Sequence, residues 1–404
     1  MLQIIYDCLK NINEIKMKPI GLVTCYFHHN YGSMLQAYAT EMIMQQMGLP
    51  FQTIACKAPI NYMQENKFLY IIKKLLIADW KMRLGKMKIE RAKKENPMFA
   101  KNWEIRNKAF NQFAETFFHV SPYCKNRKEL TKMAENYSAF LVGSDQLWRT
   151  DSVEHGYYTL EWVPDHIRKI AYSTSIGVKE VPWFQVEKNK RFMNRFDYIA
   201  LREQSACDLV YKLTGRKVPV VLDPTLLFTG DQWLEIQQQE PLTNDNYIFC
   251  YLLGDNPSQR EFIKRVKEKT GYKIVALQQL DDYIPSDEGF ADEAPYVGPR
   301  EFLNYIRNAE YVFTDSFHCS VFSILYKKNF FTFSRFAEGA KQSTNTRIDN
   351  LLHITGLEDR RMTGDKTVDG IINFKGNFAG VDEKLNALRK SSMDYLYNAF
   401  KDLK

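Results

Sequence analysis

Short apolar runs alternate with helical stretches along most of this chain, and they do so in two separate series. In the first, strand-like runs fall at Pro19–Cys25, Phe51–Ala55, Ala139–Gly143, Lys169–Ser173, Asp197–Leu201 and Val218–Leu222. Ser33 stands where it can cap a helix over Met34–Met47, which Gly48 and Pro50 stop. After the polar stretch Gln237–Asn246 a second series begins. Strands are expected at Tyr247–Leu253, Lys273–Leu277, Tyr311–Thr314 and Phe330–Phe333, with helices at Ser258–Thr270, Arg300–Asn308 and from Ser316 to Tyr326. Short, continuously apolar strands separated by helices imply parallel sheets covered on both faces. The expected fold is therefore α/β, with two Rossmann-like domains facing a cleft. We place the first domain at residues 1–235, with a basic helical insertion at about 62–135. The second is 236–380, and a last helix, 381–404, packs back on the first domain.

Composition narrows the classes. The 404 residues are 45% hydrophobic and 25% charged, as in ordinary soluble proteins. No run of 18 apolar residues marks a membrane span, and Met1–Lys16 lacks the apolar core of a secretory signal. Seven cysteines without a CxxC pair fit reduced thiols, and so a cytoplasmic protein. The net charge of +7 is concentrated: between Lys73 and Lys108 twelve lysines and arginines face four acids. Within it, Phe68, Ile72, Leu75, Leu76, Trp80, Leu84 and Met87 recur at helical spacing opposite Lys73, Lys74, Lys81 and Lys88. Such a basic amphipathic helix, at 68–94, suits an anionic membrane surface at the inner leaflet, and equally suits a solvated face packed on the core. No basic stripe with interleaved aromatics points to nucleic acid.

Parallel sheets place ligands at the carboxyl ends of strands, where helix N-termini attract anions. Four clusters fall there. Asn30 and Gly32 form a turn into a helix. Ser144, Asp145, Gln146 and Trp148 combine a carboxylate, an amide and a ring, a set suited to a sugar, although a cap and a core tryptophan would look the same. Arg202 can grip a carboxylate or phosphate with two parallel bonds, or pair with Asp223. Asp315, Ser316, Phe317 and His318 open a helix after a buried strand, where the helix end lowers an imidazole's proton affinity and a bound anion raises it again. Cys319 reads as a buried small hydrophobe. No GxGxxG, Walker, HExxH or nucleophile-elbow pattern is present.

Together these clusters resemble the polysaccharide pyruvyl transferase family. The similar segments are NYGSMLQAYA at 30–39, FLVGSDQLW at 140–148, ALRE at 200–203, VLDPTLL at 221–227, VFTDSFH at 312–318 and RIDNLL at 347–352. The resemblance implies transfer of a pyruvyl group from phosphoenolpyruvate to a sugar of a surface polysaccharide precursor, or a lipid-linked oligosaccharide, forming a ketal and releasing phosphate. It implies a GT-B-like arrangement, with 1–235 on the acceptor side and 236–380 on the donor side, and no cofactor and no metal. His318 would be the acid that protonates the enol carbon. Arg202 would hold the donor, with the helix starting at Ser316 beside it. Asp145 would orient or deprotonate the acceptor hydroxyl, with Asp315 competing for that role. Better-studied branches carry an arginine where Ser316 stands and glycine where Cys319 stands, so Arg335, Lys341 and Arg347 are the further cations expected around the donor. Two other classes share the fold-level features: a glycosyltransferase using a nucleotide sugar, and a non-catalytic saccharide-binding protein.

Overall fold

A computed structural model describes residues 17–55, 80–178, 180–278, 284–336 and 345–403; the side chains of 80–86 and of Asp151 are outside that description. Two parallel sheets organise the chain. The first contains β1 (Ile20–Val23), β2 (Phe51–Thr53), β3 (Ala139–Asp145), β4 (Arg168–Thr174) and β5 (Tyr198–Leu201) in the order β2-β1-β3-β4-β5. The second contains β6 (Tyr247–Tyr251), β7 (Lys273–Ala276), β8 (Tyr311–Thr314) and β9 (Asn329–Thr332) in the order β7-β6-β8-β9. Ile20 lies opposite Ala139 in the first sheet and Ile248 opposite Tyr311 in the second, and the register shifts by one residue between β4 and β5 after Tyr172. Strands such as β1 and β6 are buried along their whole length, which explains their unbroken apolar character. The protein is an α/β chain of two Rossmann-like halves facing a cleft.

Most of the apolar runs form strands, but Val218–Leu222 makes only an isolated bridge between Val220 and Leu201. Pro219 accepts from the Leu201 amide yet has no N–H to extend the ladder. The first helix, α1 (Tyr31–Gln46), starts earlier than expected. Asn30 is its cap, accepting from the Ser33 amide at 3.2 Å, so Ser33 is freed from capping.

The insertion contributes α2 (Trp80–Glu95) and α3 (Pro97–Phe117). Asn96 caps α3, Pro97 occupies its first turn, and Phe110 and Phe113 fill the core. The rest of the expected basic helix, with Lys73 and Lys74, and the side chain of Lys81 lie outside the described residues. Where α3 passes the cleft it touches both halves: Arg106 donates to the His29 carbonyl, and a Cβ on Gly298 would lie 3.2 Å from that of Ala109.

The halves meet through aromatic packing. Tyr31, at the start of α1, stacks on Phe302 at 4.6 Å, and its hydroxyl donates to the Val297 carbonyl. The last helix, α4 (Val381–Phe400), bonds back to the first half. Arg389 donates to Leu226 and Phe228 carbonyls, Tyr395 to Ala171, and Arg168 to Ala399 and Lys401. Among the described residues no helix is long and apolar enough to cross a membrane.

Candidate active site

The carboxyl ends of β1, β3, β5 and β8 converge between the two halves. From β3 come Ser144 and Asp145, the latter with φ of 71°, a left-handed conformation that aspartate tolerates better than most residues. Arg202 follows β5 and Asp223 follows the Val220 bridge. Asp315 and Ser316 follow β8, and Ser316 caps α5 (Phe317–Leu325), the helix that carries His318 in its first turn.

Asp223 is the hub. Its Oδ2 accepts from Arg202 Nη1 at 2.7 Å and from the Ser144 hydroxyl at 3.0 Å, and its Oδ1 accepts from the Thr225 amide and hydroxyl. His318 Nε2 lies 3.6 Å from Oδ2, so an imidazole from the second half faces a carboxylate of the first. Burial alone would raise the Asp223 carboxyl, but His318 and Arg202 outweigh it and hold the group well below the usual carboxylate range. The pair left open by the sequence, Arg202 with Asp223, is thus present, and it occupies only part of the guanidinium. Arg202 Nη2 stands 3.7 Å from Asp145 Oδ1, while Nε and Nη2 have no hydrogen-bond partner.

Asp145 Oδ2 accepts from the Ser33 hydroxyl at 2.7 Å. Burial opposes its ionisation, but Arg202, His318 and Arg347 overcome that and lower its pKa. Glycine at position 32 has a specific reason. A Cβ there would sit 2.0 Å from His318 Nδ1, so only a residue without a side chain lets the imidazole lie on the first turn of α1.

The cations expected around the donor gather here in part. Phe317 is covered by the guanidinium of Arg202 at 4.7 Å and of Arg347 at 5.8 Å. Arg347 comes from α6 (Asn345–Thr355), with the carboxylates of Asp145 and Glu203 in its field and a buried Nε without a hydrogen-bond partner. Burial and the neighbouring Arg202 charge push its pKa down to about 9. Arg335 donates to the Asp315 carbonyl and keeps Nε unpartnered. Lys341 lies outside the described residues. Buried donors without a partner are thus found on Arg202, Arg347, Arg335 and His318 together.

Other expected residues take different places. Trp148 is not a sugar platform: it is 1% exposed, its indole N–H donates to the Tyr158 carbonyl, and Phe192 and Phe196 meet it edge-on. An indole two residues past Gln146 is carried off the strand end into the core. Asp315 is buried with its two oxygens accepting from the Leu253 and Gly254 amides, an arrangement that braces the turn after β6. Gln146 keeps a buried, unpartnered Nε2 near Gly177. Cys319 is fully buried, and burial pushes its thiol up to about 12. Three residues at the site were not among the expected catalytic or binding residues: Ser33, read as a cap; Asp223, read as a possible partner of Arg202; and Glu203. Asp223 carried a signal, since its DPT segment both ends a strand-like run and opens a turn.

The family model of the polysaccharide pyruvyl transferases matches residues 30–335. The chain belongs to that family. The span of the pyruvyl transferase match takes in every strand-end cluster just described except Arg347, which lies beyond it. None of the curated proteins compared matches the chain. Among solved structures, a UDP-GlcNAc 2-epimerase from Methanocaldococcus jannaschii aligns over 92% of this chain and 99% of its own, at 13% identity and a TM-score of 0.47. The Neisseria meningitidis UDP-GlcNAc 2-epimerase bound to UDP-GlcNAc aligns over 93% and 100%, at 9% identity and a TM-score of 0.46. These distant likenesses bear on neither substrate nor mechanism.

Proposed function

We propose that this pyruvyl transferase family member moves a pyruvyl group from phosphoenolpyruvate to two hydroxyls of a sugar in a surface polysaccharide precursor, forming a cyclic ketal and releasing phosphate. The observation that carries this reading is the convergence, at the strand ends around Phe317 and Asp223, of buried donors without partners on Arg202, Arg347, Arg335 and His318. A buried donor without a partner is costly, and a small anion bearing several charges relieves that cost at all four residues while Arg202, His318 and Arg335 keep the carboxylates they already face. Arg202 and Arg347 grip the donor's anionic groups, and the helix beginning at Ser316 adds its N-terminal dipole. His318 gives its proton to the terminal enol carbon; a positioned acid of this kind contributes about 10²–10⁴-fold. Asp145 and Asp223, held ionised, fix Arg202 and stabilise the protonated imidazole, and Asp145 with Ser33 orients an acceptor hydroxyl. Arg335 and Arg347 take up the role of the arginine that other branches carry at the position of Ser316.

Thermal unfolding with phosphoenolpyruvate, UDP and UDP-GlcNAc, followed by a phosphate-release assay with methyl hexosides, tests the reading. Phosphoenolpyruvate is expected to raise the midpoint and to release phosphate when an acceptor is present. Stabilisation by UDP or UDP-GlcNAc with none by phosphoenolpyruvate overturns it in favour of glycosyl transfer.

A further inference from the structure

Ketal formation removes protons from two acceptor hydroxyls, so the site needs a group able to take one. Most of the carboxylates near His318 are already engaged. Asp223 accepts from Arg202, Ser144 and Thr225; Asp145 accepts from Ser33 and faces Arg202; Asp315 accepts from two backbone amides. Glu203, the residue after Arg202, differs. Its Oε1 accepts from the Ser175 hydroxyl at 2.7 Å and from the Ile176 amide, which fixes the carboxylate, while its buried Oε2 accepts from nothing.

Glu203 also lines a cavity of about 270 Å³ that reaches Arg202, Asp223 and Phe317 on one side. Its wall is of two kinds. Gln204 and Asn350 supply amides, whereas Ile354 of α6 and Leu388 of α4 supply aliphatic surface. A pyranose has the matching character, with hydroxyls around its edge and C–H groups across its faces. The ring expected to cover such a face, Trp148, is in the core, so the aliphatic wall offers that surface instead.

We propose that this cavity seats the ring of the acceptor sugar and that Glu203 takes the proton of the hydroxyl that attacks the donor. The inference rests on the pyruvyl-transfer reading. In the first step the hydroxyl oxygen bonds to C2 of phosphoenolpyruvate, its proton passes to Glu203 Oε2, and the former enol π pair takes a proton from His318 to make the methyl group. In the second step the C2–O bond to phosphate breaks, the second hydroxyl oxygen bonds to C2, and its proton leaves with the phosphate as hydrogen phosphate. Glu203 then returns its proton to solvent and His318 regains one. Of the two hydroxyl protons, one is thereby matched by the new methyl hydrogen and the other leaves on phosphate.

The test follows phosphate release from phosphoenolpyruvate with methyl glycosides of galactose, glucose, mannose and N-acetylmannosamine, alongside the thermal shift given by phosphoenolpyruvate alone. Glu203→Gln is expected to lower kcat about 100-fold while keeping the donor shift, and Glu203→Asp to restore part of the rate. Ile354→Trp, which fills the cavity, is expected to raise the acceptor KM about tenfold with the donor shift intact. Glu203→Gln turnover within threefold of wild type overturns the proton-acceptor role and leaves pyruvyl transfer standing. Should Glu203→Gln not fold, Ile354→Trp decides: an unchanged acceptor KM overturns the assignment. Donor binding without phosphate release for every glycoside in the wild type also overturns the cavity's assignment to a sugar ring. No thermal shift with phosphoenolpyruvate in the wild type fails the function itself, and this inference with it.

Discussion

Two deeply buried arginines, one in each half, keep different company. Arg360 is 0% exposed in the second half, its guanidinium set among the rings of Phe330, Phe374 and Phe378 at 4.6–5.4 Å. Its firmest polar partner is Asn329 at 3.3 Å, and burial lowers its pKa. Arg202 is 5% exposed and also lies over a phenylalanine, yet Asp223 and Asp145 overcome its burial and raise its pKa. Both retain buried N–H groups without partners. Burial and orphaned donors therefore do not by themselves mark a site. What separates Arg202 is its place at a strand's carboxyl end, carboxylates that keep it charged, and further cations aimed at the same region.

Substitutions can break that contrast, the largest effect coming first. Arg202→Ala and His318→Ala are each expected to lower phosphate release from phosphoenolpyruvate by about 10²–10³-fold with the fold retained, as steady-state rates and circular dichroism would show. Near-normal turnover in either removes that residue from the mechanism. Gly32→Ala should cost up to about 100-fold in kcat, because the added methyl forces the imidazole off the first turn of α1; a crystal structure of the variant would show the displacement.

Asp223→Asn reads the same network through stability. It leaves Arg202 and His318 without their shared carboxylate and is expected to cost about 3–5 kcal/mol in urea unfolding at pH 7. The sign with pH follows from the depressed carboxyl. Its stabilisation is full above the unfolded-state pKa of about 4 and is lost as pH falls towards the folded-state value, so the gap between wild type and variant narrows in acid. A gap independent of pH would mean that packing, not charge, holds the hub. The smallest effect is expected at the other arginine. Arg360→Met should leave turnover within about threefold and raise stability by about 1 kcal/mol, since an apolar side chain of similar length suits three phenylalanine rings; a drop in turnover would erase the distinction between the two arginines.

Much of this was legible in the sequence, and the exceptions have physical causes. Continuous apolar runs gave the strands of both sheets because strands buried on both faces need no alternation. The Val218–Leu222 run failed as a strand because one proline removes a ladder donor. Strand-end position brought forward Arg202, Asp145 and His318, which the fold does bring together. Trp148 misled because sequence proximity to Asp145 says nothing of direction: the side chain leaves the strand end and enters the core. Ser33 was hidden by the cap at Asn30, a competition between two good capping residues that composition does not decide. Glu203 was overshadowed by its neighbour Arg202, and only the fold shows that the two line one cavity and that Oε1 is tied while Oε2 is not.

The last helix has a consequence of its own. It supplies Leu388 and Ser392 to the cavity beside Arg202 and is stitched to the first half at Leu226, Phe228, Ala171 and Arg168. The polypeptide thus passes between the halves twice, once outward after Phe228 and once on its return. Two strands of covalent chain tie the halves together where one alone would leave a single tether. A shortened chain lacking the returning helix would lose the second of these links and one wall of the chamber together.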